Sequence, residues 1–139
     1  GIASDHAGYK LKAKIIDFLS RKYPDLKIQD FGTNSDASVD YPDFTKLVCD
    51  AILEKEVHRG ILICGTGIGM SITANRRTDI RAALCMSEFM AEKARQHNDA
   101  NILVLGSKLI DDKLSLKLVE IFLRLEFEGG RHQKRVDKI

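Results

Sequence analysis

The sequence lacks tryptophan, and aromatic residues make up only 6% of its 139 positions. Stacking surface for nucleic-acid bases is therefore scarce, and a formal net charge of +2 provides little attraction for phosphate backbones. No apolar run is long enough to cross a membrane, and charged residues stand near the N-terminus where a signal peptide would be apolar. We expect a cytoplasmic protein that binds neither nucleic acid nor membranes.

Cysteine is also scarce. Cys49, Cys64 and Cys85 make an odd count without a C-x-x-C pair, which favours free thiols in a reducing compartment. Cys49 falls near the apolar stripe of one predicted helix and Cys85 at the end of a predicted strand, so both are interpreted as packing residues. No metal site is predicted, because metal-ligand spacing is absent among the histidines, which are His6, His58, His97 and His132.

Linker signals and low-complexity segments are absent, so residues 1–139 are predicted to form a single domain. Short apolar segments alternate with amphipathic ones, which is typical of parallel βαβ units with helices on both faces. The expected fold class is α/β, a three-layer α/β/α sandwich with a five-stranded, mainly parallel sheet. Strands are expected at residues 1–3, 26–31, 61–63, 80–84 and 102–105, each followed by a helix.

Helical spacing also predicts which side chains of two helices face outward or inward. Lys12 is placed in solvent by the spacing of the first helix. Phe89 and Met90 are placed in the core by the spacing of the fourth.

The segment from Cys64 to Gly69 follows a predicted buried strand and joins a thiol to three glycines at alternate positions. Alternate glycines let backbone N–H groups approach an anion without obstruction by Cβ atoms. A helix that begins near Ile68 would add its positive end, and positive potential favours the thiolate form of a nearby cysteine. The segment predicts an anion site with a base or nucleophile at its edge.

Ligands of such a sheet bind outside the carboxyl ends of the strands. The residues expected at that edge are Asp5, His6, Gly32, Thr33, the loop 64–69, Cys85, Met86, Ser107 and Lys108. Taken alone, Asp5 and His6 are more often a helix cap and a surface histidine, but together with the loop they indicate a site. G-x-G-x-G is not the dinucleotide-binding pattern, and no Gly-Lys-Ser/Thr follows it, so no cofactor is predicted.

The turn from Arg95 to Asp99 joins a predicted helix to the last strand and therefore lies at the opposite, amino edge of the sheet. The basic tail from Gly129 to Arg135 starts from that same edge. Composition alone favours a solvated polar turn and a solvated tail. The alternative is that the amino edge of a second subunit, with its tail 128–139, closes the site of the first.

Five sequence blocks in this order resemble the type B ribose-5-phosphate isomerase family, which includes galactose-6-phosphate isomerase subunits. The resemblance covers essentially the whole chain, and the blocks are Ser4-Asp5-His6-Ala7-Gly8, Asp40-Tyr41-Pro42, Ile63-Cys64-Gly65-Thr66-Gly67-Ile68-Gly69, Arg95-Gln96-His97-Asn98-Asp99 and Gly129-Gly130-Arg131-His132. Family members usually extend beyond both ends of this chain, which is therefore expected to be clipped. The resemblance implies a homodimer of Rossmann-like subunits with shared active sites and leaves higher oligomers open.

The resemblance also implies roles for individual residues. Cys64 matches the proton acceptor and His97 the residue that protonates or opens the sugar ring, while the Thr66 hydroxyl is expected to help hold the enediolate oxygens. Substrate contacts are expected from Asp5, His6, Tyr41, Gly65, Gly67, Ile68, Gly69, Asn98 and Lys108, and phosphate contacts from Arg131 and Arg135. Lys108 stands where some members have an arginine, and lysine lacks the bidentate fork.

The expected function is interconversion of ribose 5-phosphate and ribulose 5-phosphate through an enediolate, with Cys64 as the base and no cofactor or metal. A hexose-6-phosphate isomerase of the galactose or allose type is the near alternative, because one added carbon changes pocket depth more than chemistry. A non-catalytic sugar-phosphate-binding protein is the third possibility, although such a protein has no need of a thiol beside the loop.

Overall fold

Four parallel strands form the sheet of the computed structural model, which describes residues 1–139. The strands are β1 (Ile2–Ser4), β2 (Gly60–Cys64), β3 (Ala82–Leu84) and β4 (Ile102–Gly106). Their spatial order is β1-β2-β4-β3, and every neighbouring pair is parallel. All carboxyl ends therefore meet at one edge of the sheet, which we call the carboxyl edge, and all amino ends at the other, the amino edge.

Six helices accompany the sheet: α1 (Tyr9–Lys22), α2 (Tyr41–Leu53), α3 (Ile68–Ala74), α4 (Glu88–Gln96), α5 (Asp112–Arg124) and α6 (Gln133–Val136). The side chains of Ser87 and Asp111 cap α4 and α5 by accepting backbone N–H groups. Helix α6 in the tail was not predicted. No helix combines the length and the apolar character needed to span a membrane.

Alternation along the central strands divides the core into two layers. Ile61 and Ile63 face one layer, which α1, α4 and α5 cover, whereas Leu62 and Cys64 face the other, which α2 and α3 cover. This arrangement confirms the three-layer α/β/α sandwich. It also places the sulfur of Cys64 in the layer of α2 and α3.

The predicted strand at residues 26–31 is wrong, because this segment forms only a single bridge, between Ile2 and Asp30. Beyond that bridge Gly32 adopts a φ of 88°, and the amide of Ser4 donates to the Gly32 carbonyl. A regular parallel ladder would have the carbonyl of the preceding residue accept that bond. The left-handed glycine thus ends the pairing, and the sheet has four strands instead of five.

Lys12 is buried, with only 2% of its surface exposed, although helical spacing placed it in solvent. Its ammonium lies 2.5 Å from the Asp30 carboxylate and 2.7 Å from Oδ1 of Asn34. The ammonium can leave water because the two carboxylate oxygens and the amide oxygen replace its hydration. Lys12 therefore attaches the segment that follows Pro24 to helix α1.

The outward face of α4 is a third correction. Phe89 is 68% exposed and Met90 is also exposed, while the residues that α4 packs inward include Ala91 and Ala94. Small residues let the helix lie close to its neighbours, and the two larger side chains are left beside edge strand β3. With Leu84 and Asn98 they line a largely apolar groove there.

Candidate active site

The loop after β2 holds the thiol of Cys64 against a backbone donor. The amide of Gly67 donates a hydrogen bond to Cys64 Sγ at 3.1 Å, and Gly67 adopts a φ of 77° directly before α3. Such a bond stabilises negative charge on the sulfur. The thiol is thus placed at the carboxyl edge as a base or nucleophile would require.

The other two cysteines lack this environment. Both are buried in the core, and burial raises the pKa of Cys49 to about 11 and the pKa of Cys85 to about 12. Their thiols stay protonated at neutral pH. Their interpretation as packing residues is confirmed.

The glycine-rich loop is hydrogen-bonded to the turn after β4. Amides of Ser107 and Lys108 donate to the carbonyls of Cys64 and Gly65 at 2.9 and 3.0 Å. A Cβ atom on Gly67 would lie 2.4 Å from Leu84, so only glycine fits there. The loop is therefore fixed by the turn after β4 and by Leu84 of β3.

Tyr41, at the start of α2, forms a wall of this edge. A Cβ atom on Gly69 would meet the Tyr41 ring at 2.6 Å, which means that the ring lies directly against the first turn of α3. Thr66 is exposed, and its Oγ1 accepts the amide of Ile68 at 3.4 Å. The loop residues, Tyr41 and Lys108 are thus brought together as predicted.

Asp5 and His6 stand beside the loop, each with a structural partner. Asp5 Oδ1 accepts the amides of Ala7 and Gly8 at 2.8 and 3.1 Å, which makes Asp5 a cap for the turn before α1. His6 Nδ1 accepts the amide of Val39 at 3.2 Å. The N-cap of α1 itself is Gly8, without a side-chain cap, so Asp5 fixes the preceding turn and does not cap the helix. A role for Asp5 or His6 in substrate contact stays a prediction.

His97 and Asn98 lie at the amino edge, where α4 ends. The turn that carries them is fixed by buried Arg95, which donates to the Ala100 carbonyl at 2.6 Å and to the Asp99 carboxylate at 3.0 Å. A five-residue strand is roughly 16 Å long. Within one chain, therefore, the structure does not bring His97 or Asn98 to the thiol.

Three ionisable side chains that sequence reasoning did not connect meet at the amino edge. The rings of His97 and His132 stack with centroids 4.0 Å apart, and the Glu128 carboxylate lies 3.7 and 3.8 Å from their Nε2 atoms. Loss of hydration and nearby positive groups lower the pKa of His132. The four-residue spacing of Glu128 and His132 could have predicted that these two side chains meet. No sequence pattern connects them with the distant His97.

Arg131 and Arg135 lie in the tail beside this cluster. Both are exposed, and neither forms an ion pair within the chain. Their guanidinium groups are available to an anion at the amino edge. Like His97, they lie far from the Cys64 loop of their own chain.

Comparison with known proteins matches a model described as Ribose/Galactose Isomerase to residues 1–139. Ribose-5-phosphate isomerase B from Escherichia coli is 42% identical over 135 residues, which span 97% of this chain and 89% of that protein. The structure of Clostridium thermocellum ribose-5-phosphate isomerase B is 51% identical with a TM-score of 0.96, covering 99% of this chain and 92% of that one. Mycoplasma genitalium ribose-5-phosphate isomerase B with bound ribulose-5-phosphate is 47% identical with a TM-score of 0.92, covering 99% and 90%.

Proposed function

The chain belongs to the ribose/galactose isomerase family, and on that premise we propose that it interconverts ribose 5-phosphate and ribulose 5-phosphate. The observation that carries the proposal is the thiol of Cys64 under the Gly67 amide at the carboxyl edge. A similar chain, from Mycoplasma genitalium, has a structure with bound ribulose-5-phosphate. The substrate is therefore a five-carbon sugar phosphate.

Cys64 removes the proton from the carbon next to the sugar carbonyl. The C–H electrons move into a carbon–carbon double bond, the carbonyl oxygen becomes negative, and an enediolate forms. The proton then returns to the neighbouring carbon, while the hydroxyl proton passes from the oxygen of the second carbon to that of the first, so that aldose becomes ketose without net oxidation. Amides of the loop and the Thr66 hydroxyl face this edge and can hold the negative oxygens.

Substrate enters mainly as a closed ring, and ring opening needs a proton on the ring oxygen. We assign this proton to the imidazole of His97, because imidazole is the side chain that most often donates and accepts protons in catalysis. Arg131 and Arg135 bind the phosphate, because their planar guanidinium groups give charge-assisted hydrogen bonds to phosphate oxygens. All three residues lie at the amino edge.

A complete site therefore needs two chains. The carboxyl edge of one subunit supplies the thiol and loop, and the amino edge of a second supplies His97 and the arginines. A two-fold axis makes two such sites at once. The apolar groove beside β3, with exposed Phe89 and Met90, supports this homodimer, because Asn98, next to His97, is among its lining residues.

The direct test is to assay the purified protein with ribose 5-phosphate and galactose 6-phosphate side by side. Turnover of the pentose alone supports the proposal, and faster turnover of the hexose would replace it with the hexose alternative. Cys64→Ala should reduce kcat by at least about a thousandfold while substrate still binds. Cys85→Ala is the matched control. It removes a buried thiol that has no glycine-rich loop beside it, and it should leave kcat nearly unchanged.

Binding of ribose 5-phosphate without turnover by the parent protein would support a non-catalytic sugar-phosphate-binding protein. Near-parental activity of Cys64→Ala would contradict the assignment of the base. Binding is measured by calorimetry and turnover by NMR, so that the two results are independent.

A further inference from the structure

The cluster of His97, Glu128 and His132 at the amino edge contains more ligand-type atoms than a proton transfer requires. One ring nitrogen of each histidine and a Glu128 oxygen all lie within 4.8 Å of one another. The separations of 3.7 and 3.8 Å between nitrogen and oxygen are too long for hydrogen bonds. The three groups thus surround a common point without being joined to each other.

These separations are close to those of a metal centre. Zn²⁺ binds imidazole nitrogen and carboxylate oxygen at about 2.0–2.2 Å in a tetrahedral arrangement. Two ligands of one tetrahedral ion are then about 3.4 Å apart, which is only a few tenths of an ångström less than the measured separations. The stacked rings, 11° from parallel, need only tilt toward each other so that their lone pairs converge.

We propose that His97, Glu128 and His132 bind a transition-metal dication of the Zn²⁺ type. Two imidazoles and one carboxylate suit Zn²⁺ or Co²⁺, whereas Mg²⁺ and Ca²⁺ prefer oxygen ligands. His132 is buried and forms a fixed ligand, while half-exposed Glu128 precedes the two glycines of the tail and can adjust. Three protein ligands leave the fourth position open.

The ion acts as an inhibitor of the isomerase, a consequence that rests on the proposed function. A metal bound to Nε2 of His97 occupies the lone pair that would carry the proton. The charge of Arg131, adjacent in sequence to His132, opposes a cation, so that binding is reversible and a chelator restores activity. Metal availability would thereby regulate turnover through the acid and not through the thiol.

The test titrates the metal-free, full-length chain with Co²⁺, read by visible absorption, and with Zn²⁺, read by calorimetry. We expect saturation at one ion per chain. Glu128→Gln and His132→Ala should each weaken binding by more than about tenfold, because even the loss of an outer-shell partner costs about 10- to 100-fold. His58→Ala removes an exposed histidine before β2 and should leave binding unchanged. Circular dichroism confirms that each variant is folded.

The outcomes separate this site from the proposed function. An active isomerase that shows no saturable Co²⁺ binding overturns the metal site alone. Saturable binding by a protein without isomerase activity supports the metal site and overturns the proposed function. Equal affinities for the parent and Glu128→Gln overturn the ligand set, and zinc binding that leaves turnover of the parent unchanged overturns the inhibition.

Discussion

Lys12 and Asp30 form an ion pair in which the lysine is almost fully buried, with its ammonium 2.5 Å from the carboxylate. Asp30→Ala should lower the free energy of unfolding by about 3 kcal/mol, because it leaves a buried charge with only the neutral Asn34 oxygen as its partner. Urea denaturation of the parent and variant measures this difference. Asp36→Ala, which removes an exposed carboxylate without an ion pair, is the matched control.

The double variant Lys12→Met, Asp30→Ala tests the cause of that loss. Removing the buried charge as well should recover much of the stability, because no ion then has to be desolvated. If the double variant were less stable than Asp30→Ala, the pair itself, and not the unpaired charge, would account for the effect.

Arg131→Ala and Arg135→Ala should each raise KM for ribose 5-phosphate while kcat changes little, because phosphate is held equally in the ground and transition states. The loss of a charged hydrogen bond costs about 1.5–3 kcal/mol, which corresponds to roughly tenfold or more in KM. Steady-state kinetics measures both constants. Lys134 is an exposed basic residue between the two arginines, and Lys134→Ala should keep the parental KM. Equal increases in KM at all three positions would mean that the tail attracts phosphate only through its overall positive charge.

Mixing Cys64→Ala with His97→Ala should restore activity if the site is shared between chains. Random pairing makes half of the dimers mixed, and each mixed dimer carries one intact site, so about a quarter of the parental activity is expected. The measurement is turnover after subunit exchange, with exchange followed by native mass spectrometry. Complete exchange without recovery would show that both residues serve one chain's site.

The two buried thiols predict a loss of stability at alkaline pH. The pKa of Cys49 is raised to about 11 and that of Cys85 to about 12, whereas thiols of the unfolded chain ionise near about 8.5. Between these values the native state binds more protons than the unfolded state. The free energy of unfolding that these thiols contribute is fully present below about pH 8.5 and is lost as pH rises toward about 11–12. The loss is on the order of 2 kcal/mol per thiol by about pH 10.

Urea denaturation at several values of pH, for the parent and for Cys49→Ala, Cys85→Ala, measures this loss. The double variant should depend less steeply on pH than the parent. If the free energy of unfolding fell equally steeply with pH in both proteins, other groups would account for the loss of stability at alkaline pH.

Local patterns predicted the parts of the molecule that carry chemistry. The run from β2 through Cys64 into α3 was identified because strand, glycines and helix start are consecutive in sequence. Parallel topology then placed His97 at the amino edge correctly, since strand direction alone decides it.

Features that depend on distant partners were missed. Burial of Lys12 depends on Asp30, eighteen residues away, and the failure of the strand at 26–31 depends on the left-handed Gly32. Helical spacing predicts that Phe89 on α4 is buried, but it does not show that no other part of the chain covers this side chain. The stacking of His97 on His132 joins positions with no shared local pattern.

The loop that follows the thiol accepts hydrogen bonds from the turn after β4 at the carbonyls of Cys64 and Gly65 and packs against Leu84. Ordering a residue costs roughly 1–2 kcal/mol of conformational entropy. For this loop the entropy is lost when the chain folds and not when substrate binds. An arriving sugar phosphate meets amides that are already aligned. Its contacts with the loop can therefore contribute to affinity without an ordering penalty at that edge.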